Sequence, residues 1–260
     1  MVRIFIGALA LGALCAGRLS AQTDFRNLDD GRPIATEDAW PIEHRGFELL
    51  APVAISRAAG RTESVVTPEL GWGILRNAMI GGKLPVLLGS NGGIAGPRAY
   101  AFYNFNSESA SLPGFALRAD VAFPGGVAAG DRATVALKAI ATRSWGRFRT
   151  HLNVVHGFGE GASLPATDAA PRWGASLASD LLSIRRSTLF LFEVRAAEPT
   201  AGDDLEWTAA GGLRSQLTPT LVFDVGVATS IARDGGSQRS FTLGLTHTFG
   251  LAALWPRGAQ

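Results

Sequence analysis

Four histidines, His44, His151, His156 and His247, are the first residues to weigh for chemistry. An imidazole beside a serine hydroxyl, with an Asn or Asp to orient it, would make a hydrolase acting on lipid esters. The stretch "HLNVVHG" puts His151 and Asn153 on one face of an extended strand. It lacks the His-x-Ser-Asn-Gly arrangement of membrane-barrel phospholipases, so a hydrogen-bonded pair inside the protein is the expectation for His151 and Asn153. A barrel protease would need acids and a histidine converging on loops. Asp131, at the edge of a predicted strand, and Asp168, Asp203, Asp204 and Asp234, between predicted strands, belong to the expected external loops, with only His156 near them. Those acids are expected to keep loops solvated or to meet divalent ions that bridge lipopolysaccharide. No metal-ligand spacing is present, and "GGKLP" lacks the surroundings of a phosphate loop. No catalytic residue, metal or cofactor is expected.

A second set of ionisable residues is spaced by twos. Glu48, Glu69, Lys83, Arg118, Asp120, Lys138, Arg149, His151, Asp180, Glu193, Arg195, Glu206, Arg214 and Asp224 alternate with apolar neighbours such as Leu49, Leu117, Phe192 and Val225. In a membrane barrel this segregation is compelled, because an Arg or Lys facing lipid at mid-depth costs ~2–4 kcal/mol. The charged parity therefore points inward and supplies candidate lumen-lining residues. Arg118 with Asp120, and Glu193 with Arg195, are two apart on one face and are expected to neutralise each other. The set as a whole would line a polar solute path.

The elements that position these residues are short strands. Period-2 patterning marks twelve segments of about 9 to 13 residues, the length of a tilted membrane strand. They cover 46–57, 62–72, 76–87, 96–106, 113–123, 131–143, 146–158, 171–182, 186–196, 205–217, 219–231 and 239–249. Links after even-numbered segments are short, as at 73–75, 144–145, 183–185 and 218, with 107–112 the exception. Links after odd-numbered segments, such as 159–170 and 197–204, are longer on the whole. This alternation and the even count match an up-and-down barrel with short periplasmic turns and both chain ends in the periplasm. Aromatics cluster near the predicted ends: Phe47, Trp72, Phe105, Phe115, Trp145, Phe148 and Phe249 at the periplasmic side, and Phe123, Trp173, Trp207 and Phe241 outside. The expected fold is all-β: a transmembrane antiparallel up-and-down β-barrel of about 12 strands in the outer membrane of a Gram-negative bacterium.

Composition agrees with this reading. Mean hydropathy is +0.16, yet no segment after the start reaches 18 consecutive apolar residues, which excludes a helical inner-membrane protein. Residues 1–21, with a charged "MVR", an apolar core and a small-residue end, read as a secretory signal peptide cleaved after Ala21. Cys15 is the only cysteine and falls within it, preceded by Leu14 where lipoprotein processing wants a small residue. The predicted mature chain then has 22 basic and 22 acidic residues, since Arg3 and Arg18 leave with the signal. A neutral chain gives no basis for nucleic-acid binding. Residues 22–45 are charged and rich in turn formers, and form a segment that is either lumen-inserted or periplasmic. The barrel spans 46–249, and 250–260 form a periplasmic tail.

"GRPIATEDAWPIEHRGFEL" followed by "TPELGWGILRNAMIGGKLPV" resembles the outer-membrane family labelled "MetA-pathway of phenol degradation". Arg32, Pro33, Thr36, Asp38, Ala39, Phe47, Glu48, Leu49, Pro68, Glu69, Leu70, Gly73 and Asn77 carry the match. "PGFALRADVAFPGG" and "THLNVVHGFG" fit the same scheme, whereas the final "GLAALWPRGAQ" departs from the family's terminal aromatic. The resemblance implies a barrel of this size, related in role to channels for hydrophobic or aromatic solutes. The expected partners are outer-membrane lipid and lipopolysaccharide, a small-molecule solute, and the barrel assembly machinery, with Phe249 as the assembly signal. The expected state is a monomer. A barrel enzyme acting on lipid and a structural or adhesive barrel are the alternatives.

Overall fold

A computed structural model describes residues 24–90, 92–127, 132–158, 171–184, 186–198, 204–232 and 236–251. The signal-peptide reading at 1–21, its Cys15, the tail beyond 251, and the loop acids Asp131, Asp168, Asp203 and Asp234 lie outside the described residues.

Sixteen strand segments assemble into twelve barrel strands. The first four strands are each broken: β1 (Gly46–Leu50 and Val53–Ala58), β2 (Arg61–Val66 and Glu69–Leu75), β3 (Ala78–Lys83 and Val86–Leu88) and β4 (Gly93–Ile94 and Arg98–Asn104). The other eight are continuous: β5 (Gly114–Ala122), β6 (Thr134–Trp145), β7 (Phe148–Phe158), β8 (Trp173–Leu182), β9 (Thr188–Glu198), β10 (Glu206–Thr218), β11 (Leu221–Ala232) and β12 (Ser237–Gly250). Every neighbour pairs antiparallel. β12 closes the sheet on β1, with Phe249 opposite Phe47 and Phe241 opposite Ile55.

The breaks have a common cause. Pro52, Pro68, Pro85 and Pro97 sit in the gaps of β1 to β4, and a proline has no N–H to give the ladder. Each proline carbonyl still accepts a bond from the next strand: from Thr67, Leu84, Ala95 and Phe123 in turn. The wall is thus continuous, with its ladder interrupted at the prolines of four neighbouring strands. β3 and β4 also run beyond the expected segments 76–87 and 96–106, to Leu88 and back to Gly93, with Val86 and Leu87 paired to Ile94 and Gly93.

Short turns lie where the patterning placed the periplasm, shifted by a residue or two. β6 and β7 are joined by Gly146 and Arg147 rather than by 144–145, and Gly146 takes φ 64°, which the tight hairpin requires and glycine adopts without strain. The outward face is apolar: on β9, Phe192 is 65% exposed while the adjacent Leu191 is fully buried in the lumen. In a bilayer that outer surface meets lipid, and the closed sheet leaves no edge unpaired there. Near the short-turn rim Trp72, Phe47 and Phe249 stack in sequence across the closing seam, with ring centroids 5.7 and 5.5 Å apart.

One expectation needs correcting. The lumen is not uniformly polar, because two inward apolar patches interrupt the charges: Leu182, Leu189, Leu191 and Val222 on β8 to β11, and Met79, Tyr100, Phe102 and Ile140 on β3 to β6. Patterning by twos put these residues on the inward parity, but only a third element inside the barrel could bury them.

Candidate functional site

That third element is the segment 24–45. It enters at the end of the barrel that carries the short turns, where the Asp24 N–H donates to Glu43 at 3.4 Å, turns at Asp29–Arg32 deep in the lumen, and returns to start β1. Phe25, Leu28 and Ile34 cover the first apolar patch; Ala39, Ile42 and Trp40 cover the second. Removing each large apolar side chain from water contributes ~1.5–3 kcal/mol. The plug is therefore wedged between two greasy walls of an otherwise charged pore.

Polar contacts fix its register. The Asn153 side chain pairs with the Glu37 backbone twice, accepting its N–H at 2.9 Å and donating to its carbonyl at 2.8 Å. Thr142 Oγ1 accepts the Ala39 N–H at 3.1 Å, and Asn104 donates to the Ala39 carbonyl at 2.7 Å. Glu193 accepts both the Thr36 N–H and its hydroxyl, each at 2.6 Å. These side chains satisfy backbone groups that have no sheet partner, as burial demands.

Two glycines make the slot for the turn. A Cβ on Gly226 would overlap the Pro33 carbonyl oxygen, and one on Gly212, opposite it on β10, would stand 2.8 Å from Pro33 Cβ. Only glycine lets these strands approach the plug so closely.

Charge does the rest. Arg118 and Lys138 face each other directly across β5 and β6, where like charges repel. Glu37 sits between them, with Arg118 Nη1 at 2.8 Å and Lys138 Nζ at 3.3 Å. Asp30 bridges Lys138, Lys83 at 3.0 Å and Arg118 at 3.7 Å. Burial alone would raise the Asp30 carboxyl, but those three cations, Lys138 foremost, outweigh it and hold the group well below the usual carboxylate range. On the far wall Asp29 joins Arg214 at 2.5 Å to Arg32 at 2.9 Å, and Arg32 reaches Asp224 at 3.3 Å. Asp38 meets Arg149 at 3.2 Å.

The lumen candidates sort by these contacts. Glu69 and Lys83 (3.3 Å), Arg149 and Asp180 (2.7 Å), and Arg214 and Asp224 (3.5 Å) are direct cross-strand partners that ion-pair. Arg118 and Asp120 pair within β5 at 2.9 Å. Glu193 and Arg195 do not pair: Glu193 is taken by Thr36, and Arg195 has no ion-pair partner among the described residues. Glu48 is buried on the inward face of β1, and Glu206 is half-buried at the external end of β10.

His151 and Asn153 share a face but bind different groups, not each other. Thr142 Oγ1 lies 3.0 Å from His151 Nδ1, and His151 Nε2 lies 2.9 Å from Asp180. Because the Asp180 carboxylate can only accept, Nε2–H donates to it, and Nδ1 of the neutral imidazole accepts from the Thr142 hydroxyl, whose oxygen accepts the Ala39 N–H. The imidazole is fully buried with both nitrogens engaged, and Asn153 is occupied by the plug backbone. Among the described residues no group of His, Asp and Glu could hold a metal ion.

Sequence reasoning missed the plug's own site residues: Asp29, Asp30, Arg32, Glu37 and Asp38. The facing cations Arg118 and Lys138 were the usable signal, since such a pair requires an anion from elsewhere. Two recesses flank the plug. An outer one of about 100 Å³ reaches Asp30, Lys138 and Arg195, and a periplasmic one of about 340 Å³ reaches Arg26, Trp40 and Arg149.

Comparison with known proteins bears on the fold. No protein-family model and no curated protein matches the sequence. Solved structures do: an outer membrane channel from Pseudomonas putida F1 has TM-score 0.61 at 13% identity over 82% of this chain and 98% of that one. The NanC porin gives 0.55 at 8% identity over 76% and 98%, and the CymD monoaromatic hydrocarbon channel 0.51 at 11% over 80% and 90%. At such identities the likeness concerns architecture, and the architecture is that of an outer-membrane barrel.

Proposed function

We propose that this barrel is a passive outer-membrane channel for small molecules, hydrophobic or aromatic ones among them, and that residues 24–45 are its resident plug. The observation that carries the reading is the plug itself. It is seated by side-chain contacts rather than by strand pairing, and it separates a periplasmic recess from an outer one. The apolar patches at Leu189 and Phe102 would give a hydrophobic solute somewhere to rest when the plug shifts.

The aromatic preference draws support from the resemblance to the phenol-degradation outer-membrane family and from the architecture shared with a monoaromatic hydrocarbon channel. The outward face would meet lipid and lipopolysaccharide, Phe249 would be read by the barrel assembly machinery, and the barrel would work as a monomer. Catalysis on lipid has little to stand on, since His151 and Asn153 are committed beneath the plug. The test is single-channel recording of the purified barrel in planar bilayers. Discrete, infrequent conductance steps are expected; a barrel that inserts but never conducts would refute the proposal.

A further inference from the structure

The outer recess contains a cation with no ion-pair partner among the described residues. Arg195 lies on the inward face of β9, opposite Ser176 on β8 and Thr208 on β10, and it lines the recess. Its Nε is buried without a hydrogen-bond partner among the described residues. Lys138 and Arg118, by contrast, each hold two or more carboxylates. Glu206, the nearest acid toward the rim on β10, makes no ion pair with Arg195. Arg195 is half-buried, and a guanidinium whose buried Nε is left open calls for an anion, its planar fork matching a carboxylate.

The surroundings narrow the class. Of the cations among the described residues lining the recess, Lys138 holds Asp30 and Arg98 is engaged, so the open charge is that of Arg195, and a dianion would meet the Asp30 and Asp120 carboxylates. Ala136, Val155, Pro171 and Ala175 supply small apolar wall beside the polar Asn153 and Ser176. A volume of about 100 Å³ suits a body of few heavy atoms. We infer that Arg195 forms a binding subsite for small monocarboxylates carrying an apolar group, at the outer side of the plug. This names a solute class for the channel proposed above; transport rests on that reading, binding does not.

Benzoate and its neutral counterpart benzamide are the probes, titrated into the purified full-length barrel by calorimetry or saturation-transfer NMR. The wild type is expected to bind benzoate at least roughly tenfold more tightly than benzamide. Arg195→Gln should bring benzoate down to the benzamide level, and Arg195→Lys should keep part of the preference, with benzamide unchanged in all three. Heat-modifiable gel migration reports that each variant is folded. Equal binding of the two probes by the wild type, or undiminished benzoate binding by Arg195→Gln, overturns the inference. Bilayer recordings on the same samples separate the two readings: benzoate bound through Arg195 by a barrel that never conducts leaves the subsite standing and ends the channel, and conduction without benzoate preference does the reverse.

Discussion

Replacing Glu37 by Gln removes one charge from the centre of the plug while keeping its shape. The Glu37 side chain is 2% exposed and contacts Arg118 at 2.8 Å and Lys138 at 3.3 Å. Breaking a buried ion pair outright costs about 3–5 kcal/mol, because a charge is left without compensation. Here both cations keep another carboxylate, Asp120 for Arg118 and Asp30 for Lys138, and the amide oxygen of Gln still accepts one bond. The loss should therefore be nearer ~2 kcal/mol, which shifts the docked-to-undocked ratio of the plug roughly 30-fold. The barrel wall loses nothing. Hydrogen exchange read by mass spectrometry should show faster exchange at the plug amides of Thr36, Glu37 and Ala39, which are bonded to Glu193, Asn153 and Thr142, with β7 and β11 unchanged. Conductance steps should become more frequent in parallel. If plug exchange in the variant matches the wild type, the ion cluster does not seat the plug; if strands and plug speed up together, the plug is part of the barrel's cooperative core rather than a separate element.

Two further outcomes follow from the same geometry. Gly226→Val should push Pro33 out of its slot at a cost of about 1–3 kcal/mol, raising protease sensitivity of residues 24–45 while heat-modifiable migration persists. Unchanged sensitivity would mean the slot is not tight. Phe249→Ala removes the middle ring of the stack running from Phe47 to His247, and should slow appearance of the folded gel species, whereas ending the chain after Gly250 should not; the opposite pattern would move the assembly signal into the tail.

The barrel was legible because a bilayer outside and charge inside impose a period of two that no local effect can imitate over twelve segments. Strand breaks were less so: Pro52, Pro68, Pro85 and Pro97 were visible in the sequence, but the bonds that bridge them depend on register between strands. The plug's seat was hidden for the same reason. Arg118 and Lys138 are twenty residues apart, and their repulsion appears only once β5 and β6 are in register. The expected bond between Glu193 and Arg195 failed because local spacing cannot know that Thr36 arrives from 157 residues away to take the carboxylate. Leu189 and Leu191 share the inward parity of Glu193, and the partners that bury them, Phe25, Leu28 and Ile34, come from the distant plug segment.

A reversible lock on the plug tests the central claim most directly. Ala39 Cβ would lie 3.6 Å from a Cβ built on Gly114 of β5, within the ~3.5–4.5 Å spacing of a disulfide. The sequence's only cysteine, Cys15, falls in the predicted signal peptide, so Ala39→Cys with Gly114→Cys would introduce a single pair. Recorded in planar bilayers, the oxidised barrel should be silent, and adding a reductant should release conductance steps like those of the wild type. Equal conductance before and after reduction, with the crosslink verified by mass, would contradict the account: the solute path would not run past the plug.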